Sequence, residues 1–216
     1  MPSIHIGTEF IGKVDKINKE SVQTKFFILG MPLFPLGSFY CLCDPFPGSQ
    51  AIRIPLNSKS VVLGYLRWWL SIVSIMFIII GYAMKEYVYW VTGILGLAIF
   101  LTTFFFGRLS KSEIKRRQVL TSVVGMGAHP KILHRETVQS ILAQLEEMWG
   151  QANLVSLHEN WRNVYSLGAT EQHLYPLLYC LAVYANEIEF SERVWKNLEL
   201  TMDKIKDRNI SSLFGK

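Results

Sequence analysis

Charge is what this sequence has least of. Asp, Glu, Lys and Arg make up 18% of its 216 residues, against about 25% in an ordinary soluble domain. Half of the chain is hydrophobic and the mean hydropathy is +0.23. So few charges argue that part of the chain faces lipid. Cysteine is also scarce, with Cys41, Cys43 and Cys180 alone. Three thiols do not pair fully within one chain, so the spaced framework of a secreted disulfide scaffold is excluded and reduced thiols in a cytoplasmic compartment are expected. Met1-Pro2-Ser3-Ile4-His5 carries no basic stretch before an apolar run, so no cleavable signal peptide is expected. The glycine needed for myristoylation is missing too.

Catalytic signatures are absent. No His-Glu-x-x-His, Gly-x-Ser-x-Gly or Ser, His and acid arrangement occurs. His129 and His134 are five apart with Pro130 between them, which does not place them on one helix face. His158 and Glu159 are neighbours, and His173 precedes Pro176 in a cap region. Gly125-Met126-Gly127-Ala128-His129-Pro130 breaks a helix but is not a phosphate loop, since no Lys-Ser or Lys-Thr follows it. Cys41 and Cys43 share a face if their segment is a strand, yet tetrahedral zinc needs two further ligands and only His5 lies near in sequence. Small buried cysteines are the simpler reading. No catalytic residue, cofactor or metal is assigned.

What is present is apolar length. A helix needs about 20 apolar residues to cross a bilayer core. Residues 61–82 supply that with one charge, Arg67, near the start, flanked by Trp68 and Trp69. Residues 87–106 supply it with none, bounded by Tyr87, Tyr89 and Trp90 at one end and Phe104, Phe105, Phe106, Gly107 and Arg108 at the other. Only Ala83-Met84-Lys85-Glu86 lies between. The composition therefore predicts a two-helix transmembrane hairpin. Arg53, Lys59 and Arg67 precede or open the first run, and Arg108, Lys111, Lys115, Arg116 and Arg117 follow the second, while the turn offers only Lys85. By the positive-inside rule both ends are expected in the cytoplasm, at the plasma (inner) membrane. The net charge of +5 is then explained by anionic headgroups met by Arg67, Arg108, Lys111, Lys115, Arg116 and Arg117, and no nucleic-acid partner is expected. Ser71, Ser74, Thr92, Gly93 and Gly96 suit close packing within the hairpin.

Residues 1–60 read as a small β-rich module. Thr8–Val14 partly alternates, 15–20 is polar and turn-like, and 24–37 is apolar but interrupted by Pro32, Pro35, Gly30 and Gly37. That run is expected as a buried strand with a Pro-rich crossing, or as a segment lying against the bilayer. Ser38–Asp44 and Gln50–Leu56 suit a hairpin across Pro45-Phe46-Pro47-Gly48. The pattern Gly7-Thr8-x-Phe10-x-Gly12-Lys13, then Thr24-Lys25-Phe26-Phe27, then Pro32-x-x-Pro35-Leu36-Gly37-Ser38 resembles the opening of uncharacterised prokaryotic two-span membrane proteins that set a small N-terminal module before their spans. Part of it also resembles a segment found beside small zinc ribbons, but the Cys-x-x-Cys pairs of a ribbon are missing here, so zinc is not carried over. The resemblance covers about 30 residues and implies no activity.

Residues 108–130 read as a basic juxtamembrane linker and 131–216 as a cytoplasmic helical bundle. Val138, Ile141, Leu142, Leu145, Met148 and Trp149 follow helical spacing, as do Leu154, Leu157, Trp161, Val164 and Tyr165. Gly168 and Thr170 suit a stop and a cap, Pro176 the first turn of a third helix, and Ser191 the cap of a fourth with Val194, Trp195, Leu198, Met202 and Ile205 on one face. The whole reads as a mainly α membrane protein. Its expected role is a non-enzymatic adaptor or assembly subunit that presents cytoplasmic surfaces to a protein partner or a second copy. The alternatives are an accessory subunit of a transporter or channel, using Ser71, Ser74 or Thr92, and a membrane-surface enzyme using His129, His134 or Cys41.

Overall fold

The computed structural model describes residues 6–29, 31–42, 50–152, 161–163 and 173–206. The chain forms two compact units, Met1–Ser110 and Lys111–Lys216. The first joins the β-rich module and the apolar helices into one body.

Its sheet is an antiparallel meander of β1 (Ile6–Ile17), β2 (Glu20–Leu29), β3 (Pro32–Cys41) and β4 (Ala51–Ile54) in sequence order. The two-residue turn between β1 and β2 has Asn18 at φ 49°, a conformation that Asn tolerates. The run expected as one strand and a crossing is instead two paired strands, Phe27 lying opposite Phe34. In β3, Pro32 and Pro35 sit beside register shifts, where a missing N–H is least costly. β3 also pairs with β4, Cys41 opposite Ala51; the expected connection through Pro45–Gly48 lies outside the described residues. Val22, Thr24, Phe26 and Ile28 alternate along β2 and are buried, as one strand face packed on a core requires.

Helix α1 (Ser58–Met84) lies on that face. Asn57 caps it, its side chain accepting from the Ser60 N–H at 3.0 Å. Hydroxyl groups then tie it to the sheet. Ser60 Oγ donates to the Gly12 carbonyl at 2.7 Å and accepts from Thr24 Oγ1 at 2.9 Å. Thr24 has spent its one proton there, so in the 2.9 Å contact with Ser38 it is Ser38 Oγ that donates, while Ser38 Oγ accepts from the Asn57 N–H. Gly12, at φ +74°, is where α1 and β1 touch: a Cβ there would collide with the Ser60 carbonyl. Gly64 similarly admits the Phe26 ring.

The expectation of two spans is corrected here. Helix α1 has 27 residues and is the one helix, among the described residues, long and apolar enough to cross a membrane. Helix α2 (Tyr87–Thr102) has 16 residues, about 24 Å at 1.5 Å per residue, short of a hydrocarbon core of about 30 Å. The apolar run continues to Phe106, but its backbone does not stay helical. Thr102 and Thr103 turn their hydroxyls onto the carbonyls of Ile99 and Phe100 at 2.6 Å, competing with the helical ladder. The next turns are closed by three-residue bonds, Phe105 N–H to Thr102 and Arg108 N–H to Phe105, and the Gly107 carbonyl accepts from the Asp15 N–H on β1 at 2.8 Å. A straight continuation of α2 would not make that last bond. The link before α2 is also shorter than expected, because α1 runs through Met84 and stops at Lys85, φ 58°.

In the second unit, residues 111–124 of the expected basic linker form helix α3 (Lys111–Val124), which ends at Gly125, φ +80°. A 3-10 turn (Pro130–Ile132), α4 (Arg135–Ala152), a 3-10 turn (Trp161–Asn163), α5 (Tyr175–Ile188) and α6 (Glu192–Lys206) follow. Helix α5 is buried on every side from Tyr175 to Ala185 and is packed by α3, α4 and α6. The stripes hold at Val138, Ile141, Leu145 and Trp149, and at Val194, Leu198, Met202 and Ile205, but Met148 and Trp195 are exposed. Of the stripe from Leu154 to Tyr165, only Trp161 is described; Gly168 and Thr170 also lie outside the described residues.

The hydroxyl chain yields a mutational ranking. Ser60→Ala leaves the Thr24 hydroxyl and the Gly12 carbonyl unmatched in a buried site and is expected to cost about 1–3 kcal/mol. Thr24→Ser keeps the hydroxyl and should cost less. Gly12→Ala adds a backbone collision to an unfavourable φ and should cost most. Unfolding in mild detergent, followed by tryptophan fluorescence, checks the order; a Ser60→Ala protein as stable as the parent would refute it.

Candidate functional site

The bulge that brings β1 to α1 also opens a cleft. Opposite Val22 to Thr24, the register of β1 passes from Ile11 to Val14 and leaves Gly12 and Lys13 out of the regular pairing. The Gly12 carbonyl is taken by Ser60. The Lys13 carbonyl accepts from Arg67 Nη1 at 3.2 Å, and Arg67 Nη2 donates to the Thr103 carbonyl at 3.1 Å, beyond the end of α2. The guanidinium lies over the Phe104 ring, 4.7 Å from its centroid. One side chain thus joins β1, α1 and the turn after α2.

Its position follows from helical spacing. Ser60, Gly64, Arg67, Ser71, Ser74, Ile78 and Gly81 recur every three or four residues and share one face of α1. The small residues above Arg67 admit the sheet, and those below admit α2. A Cβ at Gly93 would press on Ile78 and the Ser74 carbonyl, and one at Gly96 would strike the Ser74 hydroxyl. Ser74, Gly93 and Gly96 therefore pack within the pair. Ser71 and Thr92 bond to carbonyls of their own helices, Trp68 and Val88, at 2.8 Å.

At this seam lies a cleft of about 520 Å³ lined by Phe10, Ile11, Gly12, Lys13, Gln23, Arg67, Trp68, Ser71, Phe100 and Phe104. Four of these ten residues are aromatic, Phe10, Trp68, Phe100 and Phe104, and Phe100 packs edge-on against Phe104 at 5.2 Å. Arg67 brings positive charge to it. Arginine has five N–H donors, of which Arg67 uses two. Its Nε is buried without a hydrogen-bond partner, and among the described residues no carboxylate forms an ion pair with it. An apolar wall with an uncompensated cation suits an anion that carries apolar substituents.

The other cations expected at the membrane surface differ in their settings. Arg108 is exposed and stacks on Phe105 at 4.5 Å. Lys111, Lys115 and Arg116 are exposed on α3. Arg117 is buried and paired with Glu113 at 2.9 Å, so it is an internal group of the second unit and not a surface cation. The stripe along α3 that buries Val119 and Leu120 turns it inward. Sequence reasoning missed the parts played by Gly12, Ser60 and the carbonyls of Lys13 and Thr103. A glycine inside an alternating strand, read as a bulge or a close backbone approach, was the available signal for the first.

The residues considered for catalysis are dispersed. Cys41 is buried in β3, while Cys43 and His5 lie outside the described residues. His134 and His173 are exposed. Among the described residues, no three His, Cys, Asp or Glu side chains cluster in a way that would hold a metal ion. Burial pushes the Cys180 thiol and the Tyr179 and Tyr184 hydroxyls well above their ordinary ranges, which keeps them neutral core groups. Burial holds the His129 imidazole below its ordinary value of 6.5. Its Nδ1 accepts from the Lys131 N–H at 3.2 Å and caps the 3-10 turn, a role open only to the unprotonated ring.

That cap makes the second unit acid-sensitive. The folded state resists the proton that unfolded His129 accepts, so the unfolded chain binds more protons below the ordinary value. Stability is full above pH 6.5 and falls as the pH drops from there towards the depressed folded value. His129→Asn retains a cap acceptor without a titrating group and should flatten the decline between neutral pH and pH 5. Thermal melts across that range test this; an unchanged slope in the variant would exclude His129 as its source.

No protein-family model matches this chain, and no curated protein or solved structure matches it.

Proposed function

We propose that the protein is a non-enzymatic membrane adaptor, anchored through α1, that presents its sheet and its helical unit to a protein partner. The observation that carries the reading is exposure. Only 17% of the most apolar 18-residue stretch of α1 is buried within the protein. A core helix of that hydropathy would be covered. Leaving a Leu, Ile or Val exposed forfeits about 1.5–3 kcal/mol of burial, and Val62, Leu66, Ile72, Ile75 and Ile79 on α1 and Val91, Ile94, Leu95 and Leu101 on α2 are all exposed. Lipid covers such surfaces on every side at once.

The seam ties α2 into the same body as α1 and the sheet. The Gly107 carbonyl meets the Asp15 N–H, and Arg67 bonds to both Lys13 and Thr103. These bonds hold both ends of the α1–α2 pair against strand β1. Arg53 and Lys59, just before α1, favour the cytoplasmic face of the plasma (inner) membrane for the end of the anchor that carries the sheet. The adaptor part rests on surface. Phe34 and Leu36 stand 65% and 52% exposed on one face of β3, the kind of apolar patch that marks an interaction surface.

Two measurements test the proposal. The protein should float with membranes and resist alkaline carbonate; release by carbonate would defeat the anchor. In mild detergent it should co-purify with a defined partner, and Phe34→Glu with Leu36→Glu should reduce that recovery by about tenfold, the equivalent of about 1.4 kcal/mol. A partner-free monomer would defeat the adaptor.

A further inference from the structure

We infer that the cleft at the seam of sheet and apolar arm is a binding site for one anionic phospholipid, its phosphate at Arg67 and the start of an acyl chain along Trp68, Phe100 and Phe104. This rests on the membrane reading above and adds a stoichiometric, headgroup-selective site to it.

Position is the first argument. The cleft lies where α1 leaves the sheet, one turn beyond the buried pair Leu63 and Gly64. On a membrane-anchored chain this is the headgroup level, and Trp68 is the kind of ring that settles there. Its lower wall, Ser71, Phe100 and Phe104, belongs to the apolar arm, so a chain leaving the cleft continues into lipid. Charge is the second argument. A half-buried guanidinium without a carboxylate partner is costly unless an anion compensates it. Arg67 keeps three of its five donors unused after its bonds to Lys13 and Thr103. Volume is the third. About 520 Å³ falls in the range of small-molecule sites, roughly 300–1,000 Å³, and accommodates a phosphodiester with its first carbons while the remaining chain stays in the bilayer. A free inorganic phosphate would leave the aromatic wall uncovered.

Native mass spectrometry of the full chain in mild detergent, titrated with phosphatidylglycerol, phosphatidylcholine or inorganic phosphate, tests the site. One phosphatidylglycerol should be retained in preference to phosphatidylcholine, and Arg67→Gln should weaken it about tenfold, as expected for loss of a charge-assisted contact. Because Arg67 also braces the fold, Ser71→Phe serves as the second variant: it fills the cleft without touching the Arg67 bonds and should weaken retention as much. Equal retention of both lipids, unchanged binding in Ser71→Phe, or displacement of phosphatidylglycerol by inorganic phosphate alone would each overturn the site. A protein that resists carbonate but shows no lipid preference loses only this inference, whereas one released by carbonate loses the membrane reading itself.

Discussion

The approach of helix α1 to strand β1 at Gly12 and Ser60 is the constraint on which the first unit depends. Two backbones come so close there that one partner must lack a Cβ, and the polar groups trapped between them must be matched to one another. Serine and threonine hydroxyls do this because each both gives and accepts. The order Asn57 N–H, Ser38, Thr24, Ser60, Gly12 carbonyl follows once the last acceptor is a carbonyl. A relay of this kind is satisfied only when every member is in place, so it specifies one docking of helix on sheet where apolar contact alone would allow several.

Everything beyond the contact inherits its geometry. The bulge that exposes the Gly12 carbonyl to Ser60 also exposes that of Lys13 to Arg67, and Asp15, at φ 52° in the same irregular stretch, holds Lys59 by its side chain at 2.8 Å and Gly107 by its backbone. One irregularity in an edge strand thereby collects both ends of the apolar arm. The cleft is the space left over when three elements meet at a residue as long as arginine. Its mixed character reflects its place, with backbone polarity on the sheet side and aromatic rings on the arm side.

The second unit is organised differently. Its central helix, α5, is buried all round, and so it reads in composition like a membrane segment although it is only 14 residues long. Protein supplies its solvent where α1 and α2 leave theirs open. The same apolar content thus has two structural meanings, distinguished by what packs against it.

The sequence alone was enough to place a β-rich module before the apolar runs, the helix stop at Gly125 and the stripes of α4 and α6, because periodicity and turn chemistry are local and repeat over many residues, whereas the bounds and pairing of the strands were not legible in it. Tertiary structure decided the rest. Thr102 and Thr103 end α2 early as the chain turns to reach Asp15, so a run that looked like a span is a shorter helix and a turn. Arg67 was legible as the one cation within an apolar run, yet not as a brace on Lys13 and Thr103, since carbonyls left bare by a bulge and by a helix end carry no sequence signature. Arg117 and Trp195 were misplaced for a related reason: which way a side chain of a short helix faces depends on the neighbours that cover it, and those come from distant parts of the chain.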